Sequence, residues 1–320
     1  MPCCAQETDQ NMDVLIQDVV WEHGEQLKSG AIRIKNGFIS DITTDIKAKK
    51  NEIVIEGHNA FVYPGLINSH DHLEMNIYPK LGDPPYDDYV AWANDIYRPL
   101  EKPISDIEAL SLRDRLLFGA FRNIISGVTT VVHHNPYHLW FRWRFPVSVF
   151  SQYQWMHSLA FEKKIKRITL GKRKLIVHAA EGVSARAATE IDVLDRSGYL
   201  GPQTILVHGI AISAIQINLL RETGTSLVCC PSSNNFLFGK TAPIKALKQQ
   251  ILVSIGTDST LTGLPTLLDE VQYAVKTGFV SEREAFHMVT TIPSRIFGLK
   301  NYPALTKGSP ADLFLARRIK

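Results

Sequence analysis

The sequence predicts an α/β protein organised as a (β/α)8 TIM-type barrel, with a small β-sandwich built from the two ends of the chain. Three observations carry this. Apolar, β-branched runs alternate with helical stretches over most of the chain, the pattern of parallel strands joined by crossover helices. Those runs end in polar residues, as strands do when they deliver side chains to the carboxyl face of a barrel. Both chain ends, by contrast, read as short strands joined by turns. The division implied is a small β domain at 1–58, a barrel at 59–300, and a return of 301–320 to the small domain.

Taken in order, Met12 to Val20 alternates as a strand, and Ala31 to Ile42 places Asn36 and Gly37 between two alternating runs, a hairpin signal. A short strand at Glu52 to Glu56 completes a small antiparallel sheet, which Pro310 to Arg318 rejoins. Phe61 to Ile67 reads as one buried strand with a bend at Pro64 and Gly65, ending in Asn68, His70, Asp71 and His72. A long loop rich in Pro, Asp, Tyr and Trp follows from Leu81 to Glu101. A helix is expected from Asp106 to Ser126, with apolar positions at Leu110, Leu117, Phe121 and Ile124. Gly127 to His134 is a second strand ending in two histidines, and Phe145 to Phe150 a third. Tyr153 to Ile168 reads as helical or mixed, so the fourth βα unit is abbreviated. Lys174 to Glu181, Thr204 to Ile210, Thr225 to Asn234 and Ile251 to Ser259 are the remaining strands. Helices fit between them at Ser184 to Ser197, Ser213 to Thr223 and Pro243 to Gln250.

Composition bounds the function. The chain has 320 residues, of which 45% are hydrophobic, enough for a sizeable core and too many for disorder. The formal charge of +3 is mild, so neither nucleic acid nor membrane is expected as a partner. The basic clusters at 47–50 and 163–167 read as solvated faces. The start of the chain lacks the pattern of a signal peptide, and no apolar segment reaches the roughly 18 residues needed to span a bilayer. Four cysteines in two adjacent pairs, Cys3 with Cys4 and Cys229 with Cys230, make a poor disulfide framework. A soluble cytoplasmic protein is expected.

His70 and His72 point to one side of their strand and Asp71 to the other, so two imidazoles can grip one metal ion. With 11 histidines in the chain a His-x-His pair arises by chance about 0.4 times, so partners are required. His178, His208 and Asp258 supply them, each at the end of an apolar run. Imidazoles with a carboxylate suit a divalent ion of the zinc or iron kind. Each has a plainer reading. Glu181 after His178 suits a helix N-terminus, His208 could be a core histidine, and Asp258 a helix cap. Adjacent Cys229 and Cys230 point to opposite strand faces and read as core. Ser232, Ser233 and Asn234 either form a turn or touch substrate, and Tyr86, Tyr89 and Trp92 either cover a ligand or pack on the barrel.

The stretches PGLINSHDHL, SGVTT, IVHAAEG, LVHG, CPSSN, GTDS and KGSPADL, in this order, resemble the amidohydrolase superfamily. The similarity is to the branch holding cytosine deaminase, guanine deaminase and the triazine hydrolases, of which this would be an unusually short member. The resemblance implies that His70, His72, His178 and Asp258 hold one divalent metal, Zn²⁺ first, with Fe²⁺ or Mn²⁺ as alternatives. It also implies that Glu181 shuttles protons and that His208 orients or polarises the reacting water and substrate. Relatives with two metals use a carboxylated lysine on the fourth strand, and Ser148 to Leu159 contains no lysine, so a single ion is expected.

Glu181, His208 and Asp258 are therefore the expected catalytic residues, and His133, His157, Trp92 and Asn234 candidate contacts to substrate. The expected reaction is hydrolytic deamination of a small nitrogen-rich heterocycle or amidine. Cyclic amide hydrolysis is the alternative, and an inactive metal-binding protein the alternative of another class. A small-molecule substrate and a homo-oligomer, most simply a dimer through the aromatic tract from Tyr137 to Trp155, complete the expectation.

Overall fold

The computed structural model describes residues 13–24, 26–143, 145–159, 173–300, 302 and 304–317. Two compact units emerge, one from residues 1–65 with 299–320 and the other from residues 66–298. Cys3, Cys4, the basic cluster at 163–167 and the chain from 160 to 172 lie outside the described residues.

The first unit is one five-stranded sheet. Its strands are β1 (Val14–His23), β2 (Gln26–Lys35), β3 (Phe38–Thr43), β4 (Ile53–Pro64) and, from the far end of the chain, β13 (Leu313–Ala316), in the order β13-β4-β1-β2-β3. Asn36 and Gly37 take positive φ of 51° and 77°, giving the β2–β3 hairpin the backbone twist that two-residue turns require. Ile16, Val19, Trp21, Ile32, Ile39 and Val62 form its core. Two expectations change here. The sheet is mixed, because β1 runs parallel to β4, and the described residues contribute a single sheet where a sandwich needs two facing ones.

Among the described residues the second unit carries eight parallel strands in two groups. The first group is β5 (Leu66–Asp71), β6 (Val128–His133) and β7 (Ser148–Val149). The second is β8 (Tyr153–Ser158), β9 (Lys174–Ala179), β10 (Thr204–His208), β11 (Ser226–Cys229) and β12 (Val253–Ile255), paired in sequence order. Beyond β12 the chain returns to the end of β5: His72 N donates to Asp258 O at 2.9 Å and Thr257 N to His70 O at 3.0 Å. β9, β10 and β11 are buried on both faces, which is why they read as unbroken apolar runs.

Helices separate the strands. In the first half they are α1 (Tyr89–Ile96), α2 (Ile104–Glu108) and α3 (Leu112–Ile125), and after β9 they are α4 (Ala185–Arg196), α5 (Ala214–Thr223), α6 (Pro231–Phe238) and α7 (Ile244–Leu247). The series ends with α8 (Leu267–Lys276), α9 (Glu282–Met288) and α10 (Thr291–Phe297). Their starts are written in sequence: Ser184 caps α4, Thr266 caps α8, and Ser213 with Gln216 forms a full capping box on α5. Among the described residues no helix is long and apolar enough to cross a membrane.

Several element assignments differ from the sequence reading. Phe61 to Ile67 is two strands, with β4 pairing in the small sheet up to Pro64 and β5 starting at Leu66. The helix expected from Asp106 to Ser126 is α2 and α3, and its Leu110, Phe121 and Ile124 are exposed. The inward face is instead Leu116, Gly119, Ala120 and Asn123, because a side chain on Gly119 would meet the Leu73 carbonyl at 2.1 Å and only glycine permits that approach. The third strand shortens to two residues, and Tyr153 to Ser158 is a strand, not a helix. Ser232 to Asn234 lies within α6 and not in a turn.

Candidate active site and metal centre

The strand ends of the second unit gather a group of buried imidazoles and carboxyls. His70 and His72 leave β5 with their rings 5.0 Å apart, and His178 at the end of β9 brings its ring within 4.9 Å of His70. The Nε2 atoms of His70 and His178 lie 3.2 Å apart. Asp258 Oδ1 approaches the Nε2 atoms of His70 and His72 at 3.7 and 3.5 Å. These four residues are at most 8% exposed. On the far side of His178, Glu181 sets one carboxyl oxygen 3.3 Å from His178 Nδ1 and the other 3.4 Å from His208 Nε2.

Backbone and neighbours explain this convergence. His208 and Asp258 adopt φ of 75° and 64°, left-handed values costing a non-glycine residue about 1–2 kcal/mol each. These kinks follow the ends of β10 and β12, where strand geometry gives way to the site. Gly256 is forced by close approach: a Cβ there would lie 2.6 Å from the backbone N of His70. Asp258 Oδ2 accepts from Ser233 Oγ at 2.7 Å and Thr262 Oγ1 at 2.8 Å, which turns Oδ1 toward the histidines. His208 Nδ1 donates to Asn234 Oδ1 at 2.8 Å, leaving Nε2 as the nitrogen facing Glu181.

Asp71, on the opposite face of β5, accepts hydrogen bonds from Asn68, Asn76, Asn123 and Thr257 at 2.7 to 3.3 Å. The His-x-His segment is thereby tied to α3 and to the turn that carries Asp258. Burial pushes the Asp71 carboxyl up to about 7 against the pull of the Asn123 and Asn76 amides.

Burial dominates the electrostatics. It lowers His72 and His178 well below the ordinary imidazole range and brings His208 to about 4, so at neutral pH these rings are uncharged with lone pairs available. It raises Glu181 well above the carboxylate range, helped by the charges of Asp258, Glu190 and Asp88. Burial pushes Asp258 the same way, but the His70 contact and the surrounding imidazoles outweigh it and hold Asp258 below its ordinary value.

The other candidates are close to this cluster in different ways. His157 lies parallel to His72 with ring centres 6.2 Å apart. Trp92 is buried, donates Nε1–H to the Leu81 carbonyl at 3.0 Å and packs on Tyr89, whose own ring reaches within 6.1 Å of His178. His133 is fully buried, accepts from Leu73 N at 3.4 Å and packs against Phe141. Asn234 is spent on His208 and Thr241. Cys229 and Cys230 are buried thiols, the first pushed up to about 12 by burial, which fits core residues and not thiolate ligands.

The family model described as "Amidohydrolase family" matches residues 169–317. A 5′-deoxyadenosine deaminase of Methanosphaera stadtmanae is 24% identical over an alignment covering 91% of this chain and 82% of that protein. Similarity to the amidohydrolase family thus covers residues 169–317 by the family model, and similarity to a deaminase covers most of the chain. Solved structures agree on the fold. An adenosine deaminase from Xanthomonas campestris with bound zinc matches at a TM-score of 0.71, 18% identity, over 95% of this chain and 84% of that one. A guanine deaminase from C. acetobutylicum with bound guanine matches at 0.69, also 18% identical, over 95% and 90%.

Amidohydrolases use a divalent metal, and the donor set here fits one. His70, His72 and Asp258 form one group of ligand-type atoms lying within 4.8 Å of one another, and His70 and His178 belong to a second with His134. The His70 and His178 Nε2 atoms face each other across 3.2 Å, a pair of ligand-type nitrogens that a shared cation would suit.

The structure puts three features beside this centre that sequence reasoning left open or did not name. His134 stacks on His178 at 4.3 Å while donating Nε2–H to the Met156 carbonyl. Asn135 contacts His72 Nδ1 at 3.4 Å and Glu74 at 2.5 Å. Ser233 fixes Asp258. His134 had a signal in its place at a strand end, whereas Asn135 lies in a loop and Ser233 within a helix, where spacing says nothing about partners.

Proposed function

We propose that this protein is an amidohydrolase that removes an exocyclic amino group from a small planar nitrogen heterocycle by hydrolysis. The observation carrying this reading is the opposed setting of two buried carboxyls around one imidazole cluster. Burial pushes Glu181 toward its protonated form, while the neighbouring imidazoles hold Asp258 toward its ionised form. Two carboxyls pushed apart in this way divide the work of acid and base.

His70, His72, His178 and Asp258 would hold one divalent ion, Zn²⁺ before Fe²⁺ or Mn²⁺. Such an ion, when bound, acts as a Lewis acid that acidifies water at neutral pH. Asp258, fixed by Ser233 and Thr262, takes a proton from the attacking water. Glu181 delivers its proton to a ring nitrogen beside the carbon under attack. His208 is held through Nδ1 by Asn234 and offers Nε2 as an acceptor that orients the incoming water and the amine. The carbon–oxygen bond forms, the carbon–nitrogen bond breaks, and the amine departs as ammonia with the proton held by Asp258. Tyr89 and Trp92, on one side of the cluster, would flank a flat substrate, with His157 on the other.

The parallel strand groups and the hydrogen bonds from the β12 turn back to β5 support one closed eight-stranded barrel as the frame of this site. The names of the similar proteins make purine amines the first substrates to try. Zinc-loaded protein should release ammonia from 5′-deoxyadenosine or guanine. Ring opening of a cyclic amide without ammonia, or no turnover of either class, would overturn the proposal.

A further inference from the structure

Glu181 stands on a turn that its own sequence would not hold unaided. Ala180 has φ of 52°, a left-handed conformation that alanine rarely adopts, and Gly182 follows at 148°. The turn is gripped from two sides. Outside it, Glu181 O accepts from Tyr89 N at 3.2 Å, and the N–H groups of Val183 and Ser184 both donate to Asp87 O, at 2.7 and 3.0 Å. Inside it, Ala180 N donates to Glu190 Oε2 at 2.8 Å, and the Glu181 N–H is also bonded to the Glu190 carboxyl.

Glu190 lies on α4, 6% exposed, on the buried face shared with Ala187, Ile191 and Leu194. A carboxyl at such a position is costly to bury, and an apolar residue would suit the packing better. Its oxygens take up the successive N–H groups of Ala180 and Glu181, which strand geometry no longer serves once β9 has ended at Ala179.

We propose that Glu190 is a positioning residue: by holding the Ala180 and Glu181 amides it sets the backbone kink that places the Glu181 carboxyl between His178 and His208. The consequence for turnover rests on the reading of Glu181 as the proton donor, whereas the staple itself does not. Misplacement of a reacting group by about 1 Å can cost on the order of 100-fold in rate.

The test uses the zinc-loaded protein with Glu190→Ala, Glu190→Gln, Glu181→Gln and the double variant Glu181→Gln/Glu190→Ala. Amide hydrogen exchange over residues 179–182 should quicken at least about tenfold in Glu190→Ala and return toward the wild-type rate in Glu190→Gln, which keeps one acceptor oxygen, with zinc content unchanged. On 5′-deoxyadenosine or guanine, whichever the wild type deaminates, Glu190→Ala should lower kcat about 10- to 100-fold with KM within about threefold. The double variant should be no slower than Glu181→Gln alone. Unchanged exchange at 179–182, or a further full loss of kcat on top of Glu181→Gln, would overturn the positioning role. Full activity in Glu181→Gln would sink the proton-donor reading and leave the exchange result to decide the staple. Where Glu190→Ala fails to fold, Glu190→Leu, which fills the same apolar face of α4 without an acceptor oxygen, carries the comparison, and wild-type exchange and kcat together in that variant would count against the proposal.

Discussion

Three side chains at the centre of this molecule are defined by what touches them. His208 is pinned by Asn234, Asp258 by Ser233 and Thr262, and Glu181 by a backbone that other residues hold. Because Glu181 and Asp258 are pushed in opposite directions, their amide replacements should fail differently. Glu181→Gln is expected to keep its metal and lose about 100- to 10,000-fold in kcat, the usual worth of a general acid or base. Asp258→Asn is expected to lose metal affinity together with turnover, since in the proposed reading Asp258 would supply both a ligand oxygen and the proton acceptor. Metal analysis beside steady-state kinetics separates the two, and retained turnover in either variant would remove that role. At this scale the residue types and the strand-end placement of His70, His72, His178, His208 and Asp258 were legible in the sequence. Glu190, Asn135 and Ser233 were not, since each acts through a hydrogen bond to a residue that spacing does not connect to it.

At the scale of elements, the centre depends on how the turn after β12 is laid against β5. Gly256 is the contact point, with its missing side chain filled by the backbone of His70. Gly256→Ala should therefore push the segments that carry His70 and Asp258 apart, costing about 1–3 kcal/mol of stability as overpacking does and, in the proposed reading, weakening metal binding. Denaturant melting of the metal-free protein and zinc titration check the two effects, and a variant with wild-type values for both would refute the contact. The elements misread from sequence share a cause. The helical pattern of 112–125 has apolar residues on more than one face, and the face turned inward is the one whose Gly119 permits close packing on Leu73. Likewise Phe61 to Ile67 is an unbroken apolar run, and its division at Gly65 follows from pairing with β13 on one side and β6 on the other.

For the whole molecule, the metal should be part of the stability. His72, His178 and Asp258 are buried with little exposure, and a ligand that binds only the folded state adds stability by mass action, about 2.7 kcal/mol at 100 times its dissociation constant. Removal of metal with a chelator should lower the melting temperature by several degrees, and Zn²⁺ should restore it. An unchanged melting temperature, in protein that carries no stoichiometric divalent ion as purified, would argue against the centre.

By itself the sequence determined the alternation of strands and helices, the hairpin at Asn36 and Gly37, and the strand-end positions of His70, His178 and His208. All of these follow from periods of two or 3.6 residues and from local backbone preference, which a linear chain displays openly. Only the tertiary structure decided that the small unit is one mixed sheet, that α3 turns its small residues inward, and that Glu190 grips the turn bearing Glu181. The reason is distance along the chain. A contact such as Asn68 with Thr257 joins residues 189 positions apart, and no local pattern records which donor will meet which acceptor once the strands have assembled.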